Sequence, residues 1–204
     1  SQTTIYSESF TSGTGGWTVT STGSGTGSWV RGSNSSHSTG ATGNYFYSQK
    51  YSSDYNNNTY IIATSPAINL TGFNAITLDL KIWHSTESSY DGMKIEYSLN
   101  NGSSWSDLGS VNSNWYNDSD VDAFNNNEDG WSGNSSGWIN RNINLSTEDI
   151  GFESATQAKF RVLFASDYSI TDIGVAFDEI LILGTGTVPA YCTSTGNTAY
   201  KTGT

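Results

Sequence analysis

The sequence predicts an all-β fold, a two-sheet antiparallel sandwich of jelly-roll type, on three observations. The chain has 204 residues, ordinary for a single sandwich domain. Aromatic or β-branched runs, about ten to twelve of them, alternate with clusters of Gly, Ser, Asn and Asp. Apolar residues show no helical period over any convincing length. Aromatics make up 13% of the chain, far more than a disordered polymer of this polarity carries.

The strands are expected in this order. Residues 5–10 open the chain, and 17–19 follow a Gly-rich turn. Residues 23–43 are small and polar apart from 29–31, so they read as long surface loops, and an aromatic strand resumes at 45–47. Strands follow at 60–64, 75–84 and 93–98, then a hairpin and a strand at 105–108. A second long loop covers 112–137, and strands at 139–145, 158–165 and 175–183 complete the set. Residues 1–184 thus form one module. Residues 185–204 lack a core-forming period and read as a linker and the start of a following module.

Composition excludes several functions. A formal charge of −11 with only 8 Lys and Arg opposes binding to phosphate backbones. The same acidity disfavours anionic membranes. No apolar stretch reaches spanning length, so membrane insertion is not expected. One Cys, Cys192, excludes an intramolecular disulfide framework and a Cys-rich metal site. Abundant Ser, Thr, Asn and Gly with little Lys suits a secreted or cell-surface chain whose signal peptide has been removed.

Alternation orients the strands. Leu78, Leu80 and Ile82 point one way, and Asp79, Lys81 and Trp83 the other. Met93, Ile95 and Tyr97 oppose Lys94 and Glu96, while Phe160, Val162 and Phe164 oppose Lys159 and Arg161. Four basic residues are therefore expected on one polar sheet face with two carboxylates and Trp83. That face is either solvated and laced by ion pairs or a ligand face with Trp83 as its stacking platform.

Ser98–Trp105 reads SLNNGSSW, one residue from the Asp-box S-x-D-x-G-x-[ST]-W. Every position has a turn function: Asn100 as acceptor, Gly102 for positive φ, Trp105 for packing. Nothing in it supplies a nucleophile or proton donor. The loop at 112–137 carries Asp118, Asp120, Asp122, Glu128 and Asp129 beside Trp115, Tyr116, Phe124 and Trp131. An EF-hand register from Asp118 fails, because position six is Ala123 and position twelve Asp129. The loop either packs on itself or contacts a sugar, rings stacking on pyranose faces and amides binding hydroxyls. Trp83, Trp115, Tyr116 and Trp131 are the expected ligand contacts. Asp79 and Glu96 are the carboxylates nearest to a glycosidase pair, but Lys81 and Lys94 beside them would keep both ionised. His84 with Glu87 is two ligands short of a metal site, and Asp91 before Gly92 reads as a turn acceptor, with calcium contact as the lesser alternative.

Six segments in order carry a family resemblance: ESF with GW near the start, ATSPAINLTGFNAITLDLKIWH, YDGMKIEYSLNNGSSWSDLG, SGWINRNINLS, AKFRVLFASD and GVAFDEILI. Together they resemble the MAM-like jelly-roll modules of the concanavalin A-like superfamily, found in secreted bacterial proteins such as immune inhibitor A-type metallopeptidases and among carbohydrate-binding modules. The resemblance implies a structural Ca²⁺ held by Glu8 of ESF and Asp178 of FDE, where first and last strands converge. The tail AYCTSTGN resembles the opening of a GEVED-type module of large exported proteins, which implies a multidomain parent. The expected function is a non-catalytic accessory module, stabilised by calcium, that binds polysaccharide or cell-surface glycan. The alternative is a structural or interaction domain of an exported metallopeptidase or adhesin without sugar affinity.

Overall fold

A computed structural model describes residues 1–25, 27–37, 43–48, 53–125 and 127–186. Among these the chain forms two antiparallel sheets and almost no helix. The first sheet holds β1 (Gln2–Glu8), β3 (Val30–Gly32), β4 (Tyr45–Tyr47), β7 (Phe73–Ser85), β12 (Ile139–Asn144) and β14 (Gly174–Gly186). Its order is β12-β7-β14-β4-β3, with β1 also paired to β14. The second holds β2 (Thr18–Ser21), β5 (Tyr60–Thr64), β6 (Ile68–Asn69), β8 (Gly92–Ser98), β9 (Ser106–Asp107), β10 (Asp118–Val121), β11 (Glu128–Ser132) and β13 (Gln157–Ala165). Its order is β10-β11-β8-β13-β5-β2, with β6 on β13 and β9 on β8.

The expected inward sets hold. Leu78, Leu80 and Ile82 meet Met93, Ile95, Phe160, Val162 and Phe164 in one core between the sheets. Burying such side chains supplies roughly 1.5–3 kcal/mol each. The common polar face does not form as expected. β7 lies in the six-stranded sheet while β8 and β13 lie in the other, so the outward residues of these strands occupy opposite surfaces. On the eight-stranded side, the Lys94 ammonium pairs with Glu96, Asp107 and Glu128, and Arg161 pairs with Glu96. Lys94 also lies 5.2 Å from the Phe124 ring, and Arg161 4.4 Å from the Trp105 ring. That surface is a closed ion-pair network.

SLNNGSSW closes the β8–β9 hairpin. The Ser98 hydroxyl donates to Asn100 Oδ1 at 2.8 Å and accepts from the Gly102 amide at 2.8 Å. Asn100 Oδ1 also accepts from the Ser104 amide at 2.9 Å, and its Nδ2 donates to the Ser104 hydroxyl at 2.7 Å. Gly102 adopts φ 90° against Trp105. The loop at 112–137 contains a hairpin, β10–β11, where only loop was expected. Its apolar residues sit too irregularly in sequence to show a period of two.

Candidate functional site

The four expected ligand aromatics divide between two places. Trp115, Tyr116 and Trp131 belong to the core between the sheets. Their ring centroids lie 5.1 Å (Trp115–Trp131) and 4.8 Å (Tyr116–Trp131) apart, and Trp131 Nε1 donates to the Trp115 carbonyl at 2.6 Å. The Tyr116 hydroxyl accepts from the Ile95 amide at 3.0 Å and donates to the Ile95 carbonyl at 3.2 Å. All three rings are buried, so their faces pack on protein. Gly109 permits this: with φ 73°, a Cβ there would come within 2.6 Å of Trp115. The long loop reads as the self-packed alternative.

Trp83 lies elsewhere, on the outer face of the six-stranded sheet. There it clusters with Tyr45, Tyr47 and Ala176, against Val30, Trp138 and Ile173. β12 extends this face. Ile139 and Ile143 pack on the inter-sheet core, so by alternation Trp138, Asn140 and Asn142 point outward. Asn140 stands opposite Lys81 and Asn142 opposite Asp79. Asn142 Nδ2 donates to Asp79 Oδ1 at 2.7 Å, and Lys81 pairs with Glu179 at 2.8 Å. The outer face thus joins a half-buried Trp ring to exposed amides and to half-buried carboxylates and an ammonium. This is the polar and aromatic chemistry that binds sugar hydroxyls and C–H faces.

Beyond the aromatic end, the Asn34–His37 turn folds over the cluster. The His37 ring centroid lies 4.4 Å from Trp83, 5.4 Å from Tyr45, 5.7 Å from Tyr47 and 6.4 Å from Trp138. Burial lowers the imidazole to about 4, so His37 is neutral at pH 7.

Glu8 and Asp178 lie near one another, where the strand pattern changes. β7 covers one edge of β14, and the other edge is shared by β1 and β4. Glu8 ends β1 opposite Ile180, and Asp178 precedes a register shift in β14. Asp178 is 0% exposed, and neither carboxylate oxygen makes a hydrogen bond of normal geometry. Burial above all, with the nearby Glu179 and Glu8 charges, pushes its carboxyl up to about 7. Glu8 accepts from the Phe10 amide at 2.5 Å, and a Cβ on Gly15 would overlap its carboxylate. A buried carboxylate with bare oxygens beside a second acid fits a hard cation that takes oxygen ligands. Glu8 and Asp178 would hold Ca²⁺ here.

The catalytic alternatives meet geometric obstacles. Asp79 and Glu96 lie on different sheets, on opposite outer faces, and cannot flank one glycosidic bond. His84 Nδ1 is bonded to the Gly133 carbonyl at 2.9 Å. Glu87 instead joins Asp91 and Asp167, whose carboxylate oxygens lie within 4.8 Å of one another. Asp91, the expected turn acceptor, is buried and bridges loops: it accepts from the Tyr55 hydroxyl at 2.6 Å and the Asp167 amide at 2.7 Å.

Neither a family model nor a curated protein sequence matches the chain. Solved structures do. The chain shares the fold of a bacterial adhesin domain. That structure, a cleaved adhesin domain of Lys-gingipain from Porphyromonas gingivalis, superposes with TM-score 0.50 at 15% identity, covering 91% of this chain and 99% of that one. A xylan-binding domain of carbohydrate-binding module family 22 matches at TM-score 0.47 and 14% identity, over 92% of this chain and 98% of that one. A family 11 carbohydrate-binding module from Clostridium thermocellum, in complex with a mixed-linked tetrasaccharide, matches at 0.45 and 12%, over 90% and 95%. At these identities the likeness is one of β-sandwich architecture.

Trp138, Asn140 and Asn142 were missed in sequence although WINRNIN carries a clear period of two. The His37–Tyr45 contact had no sequence signal, because the small, polar stretch at 38–44 between them carries no periodic pattern. The expected following module, with AYCTSTGN and Cys192, lies outside the described residues. Among the described residues no helix is long and apolar enough to cross a membrane.

Proposed function

We propose that the chain is a non-catalytic module that binds polysaccharide or cell-surface glycan through the outer face of the six-stranded sheet. One observation carries the reading: Trp138 stands in line with Asn140 and Asn142, beside Lys81 and Asp79. The half-buried Trp ring is a stacking surface, and the flanking side chains supply donors and acceptors at strand spacing. Ca²⁺ at Glu8 and Asp178 is part of this proposal, as a tie between the first and last strands. So are an extracellular or cell-surface location and a larger secreted parent.

Affinity electrophoresis on xylan, laminarin and dextran tests it, covering plant, algal and bacterial glucans and xylans. Retardation on at least one is expected, with Trp138→Ala losing roughly 1–2 kcal/mol of binding, or about tenfold in affinity. Mobility unchanged on all three would overturn the reading. It would favour a structural or interaction domain without sugar affinity, which draws support from the burial of Trp115, Tyr116 and Trp131.

A further inference from the structure

We propose that the Asn34–His37 turn is a displaceable cover, and that Trp83 beneath it is a second sugar-ring subsite, uncovered when the turn lifts. The inference rests on the glycan-binding reading of this sheet face and extends it to a part that is closed in the structure.

Three observations support it. The cluster of Tyr45, Tyr47, Trp83 and Ala176 lies outside the sandwich and is separate from the core between the sheets. An aromatic cluster on an outer sheet face is not required to hold the sheets together. His37 is the ring nearest to Trp83 there, at 4.4 Å and tilted by 43°, and fills the space over Trp83 that a pyranose would need.

The cover is also poorly satisfied. His37 is 7% exposed and Asn34 5%, yet His37 Nε2 and Asn34 Nδ2 are buried with no hydrogen-bond partner. Tyr45 donates its hydroxyl hydrogen to the Asn34 carbonyl at 3.0 Å, so at 2.8 Å it accepts from His37 Nδ1. Nδ1 therefore carries the proton and Nε2 is left a bare acceptor. A buried acceptor and a buried donor without partners weaken the closed state against one in which water or a hydroxyl-rich ligand reaches both. A sugar offers both kinds of partner.

Finally, the cover has one hydrogen-bonding anchor among the described residues. Within the described residues, every hydrogen bond from the turn to the sheet runs through the Tyr45 hydroxyl. It accepts from the Asn34 amide at 2.9 Å and from His37 Nδ1, and donates to the Asn34 carbonyl. The remaining bonds, Ser36 amide to Asn34 Oδ1 and His37 amide to the Asn34 carbonyl, are internal to the turn.

Tyr45→Phe removes the anchor and keeps the ring, and His37→Ser removes the covering ring should Tyr45→Phe fold poorly. Two readouts are taken on the full chain: acrylamide quenching of tryptophan fluorescence, and retardation on xylan, laminarin and dextran. Each variant is expected to expose a further tryptophan to acrylamide. Each should also strengthen retention on at least one polysaccharide by roughly 3–10-fold, since removing a cover raises the binding-competent fraction. Adding Trp83→Leu should abolish that gain. Unchanged quenching in both variants, or increased quenching without stronger retention, would overturn the proposal. Wild-type retention that the variants do not improve sinks the cover alone. Retention by the variants but not by wild type supports the cover while removing the open Trp138 face as a site in its own right.

Discussion

Tyr116 places its hydroxyl in a gap on the edge of β8, between the residues paired to β9 and those paired to β11. There it serves both the amide and the carbonyl of Ile95. Tyr116→Phe keeps the ring and strands an amide that the hydroxyl satisfied, so a loss of about 1–3 kcal/mol is expected in urea denaturation. Asp91, like Asp178, is a buried carboxyl whose protonation couples stability to pH. Burial, joined by the charges of Asp167 and Glu87, pushes its carboxyl up to about 7 from the ordinary 3.8. The folded state therefore holds that proton more tightly than the unfolded chain. The stability it contributes is complete below about pH 4 and is lost as pH rises towards 7. Thermal melts in chelator should show wild type falling roughly 5–10 °C between pH 5 and pH 8, and Asp91→Asn with a flatter profile. Parallel profiles would remove Asp91 as the cause.

At the scale of elements, the β8–β9 hairpin is held by side chains within its own loop. Asn100 makes three of these bonds, to Ser98, the Ser104 amide and the Ser104 hydroxyl. Asn100→Ala should cost about 1–2 kcal/mol. Asn100→Asp, which restores the full Asp-box, should stay within about 0.5 kcal/mol of wild type, because the acceptor oxygen is kept. Equal losses from both would show that the turn does not depend on that oxygen. This hairpin was legible in sequence because all its partners lie within eight residues. The β10–β11 hairpin was not. It is held by partners far along the chain, such as Ser89 on Asp118 and Lys94 on Glu128, and those cannot be read from local periodicity.

Over the whole molecule, backbone pairing joins the first described strand to the last, and a cation at Glu8 and Asp178 would reinforce that tie between the ends of the described sandwich. Under the calcium proposal, excess chelator should lower the melting temperature by roughly 5–10 °C. Glu8→Gln should remove most of that response, and a wild-type melt indifferent to chelator would exclude the ion. The sequence by itself determined the all-β class, most strand positions and which side of each strand meets the core. Those depend on turn chemistry and a period of two, both local. It also determined that SLNNGSSW is a turn rather than a catalytic device. Tertiary structure alone decided which strands share a sheet. That choice sent Asp79 and Glu96 to opposite surfaces, buried Trp115, Tyr116 and Trp131, and left Trp138 beside a polar ladder. An aromatic ring is equally suited to a core and to an outer face, and strand order determines on which of the two it lies.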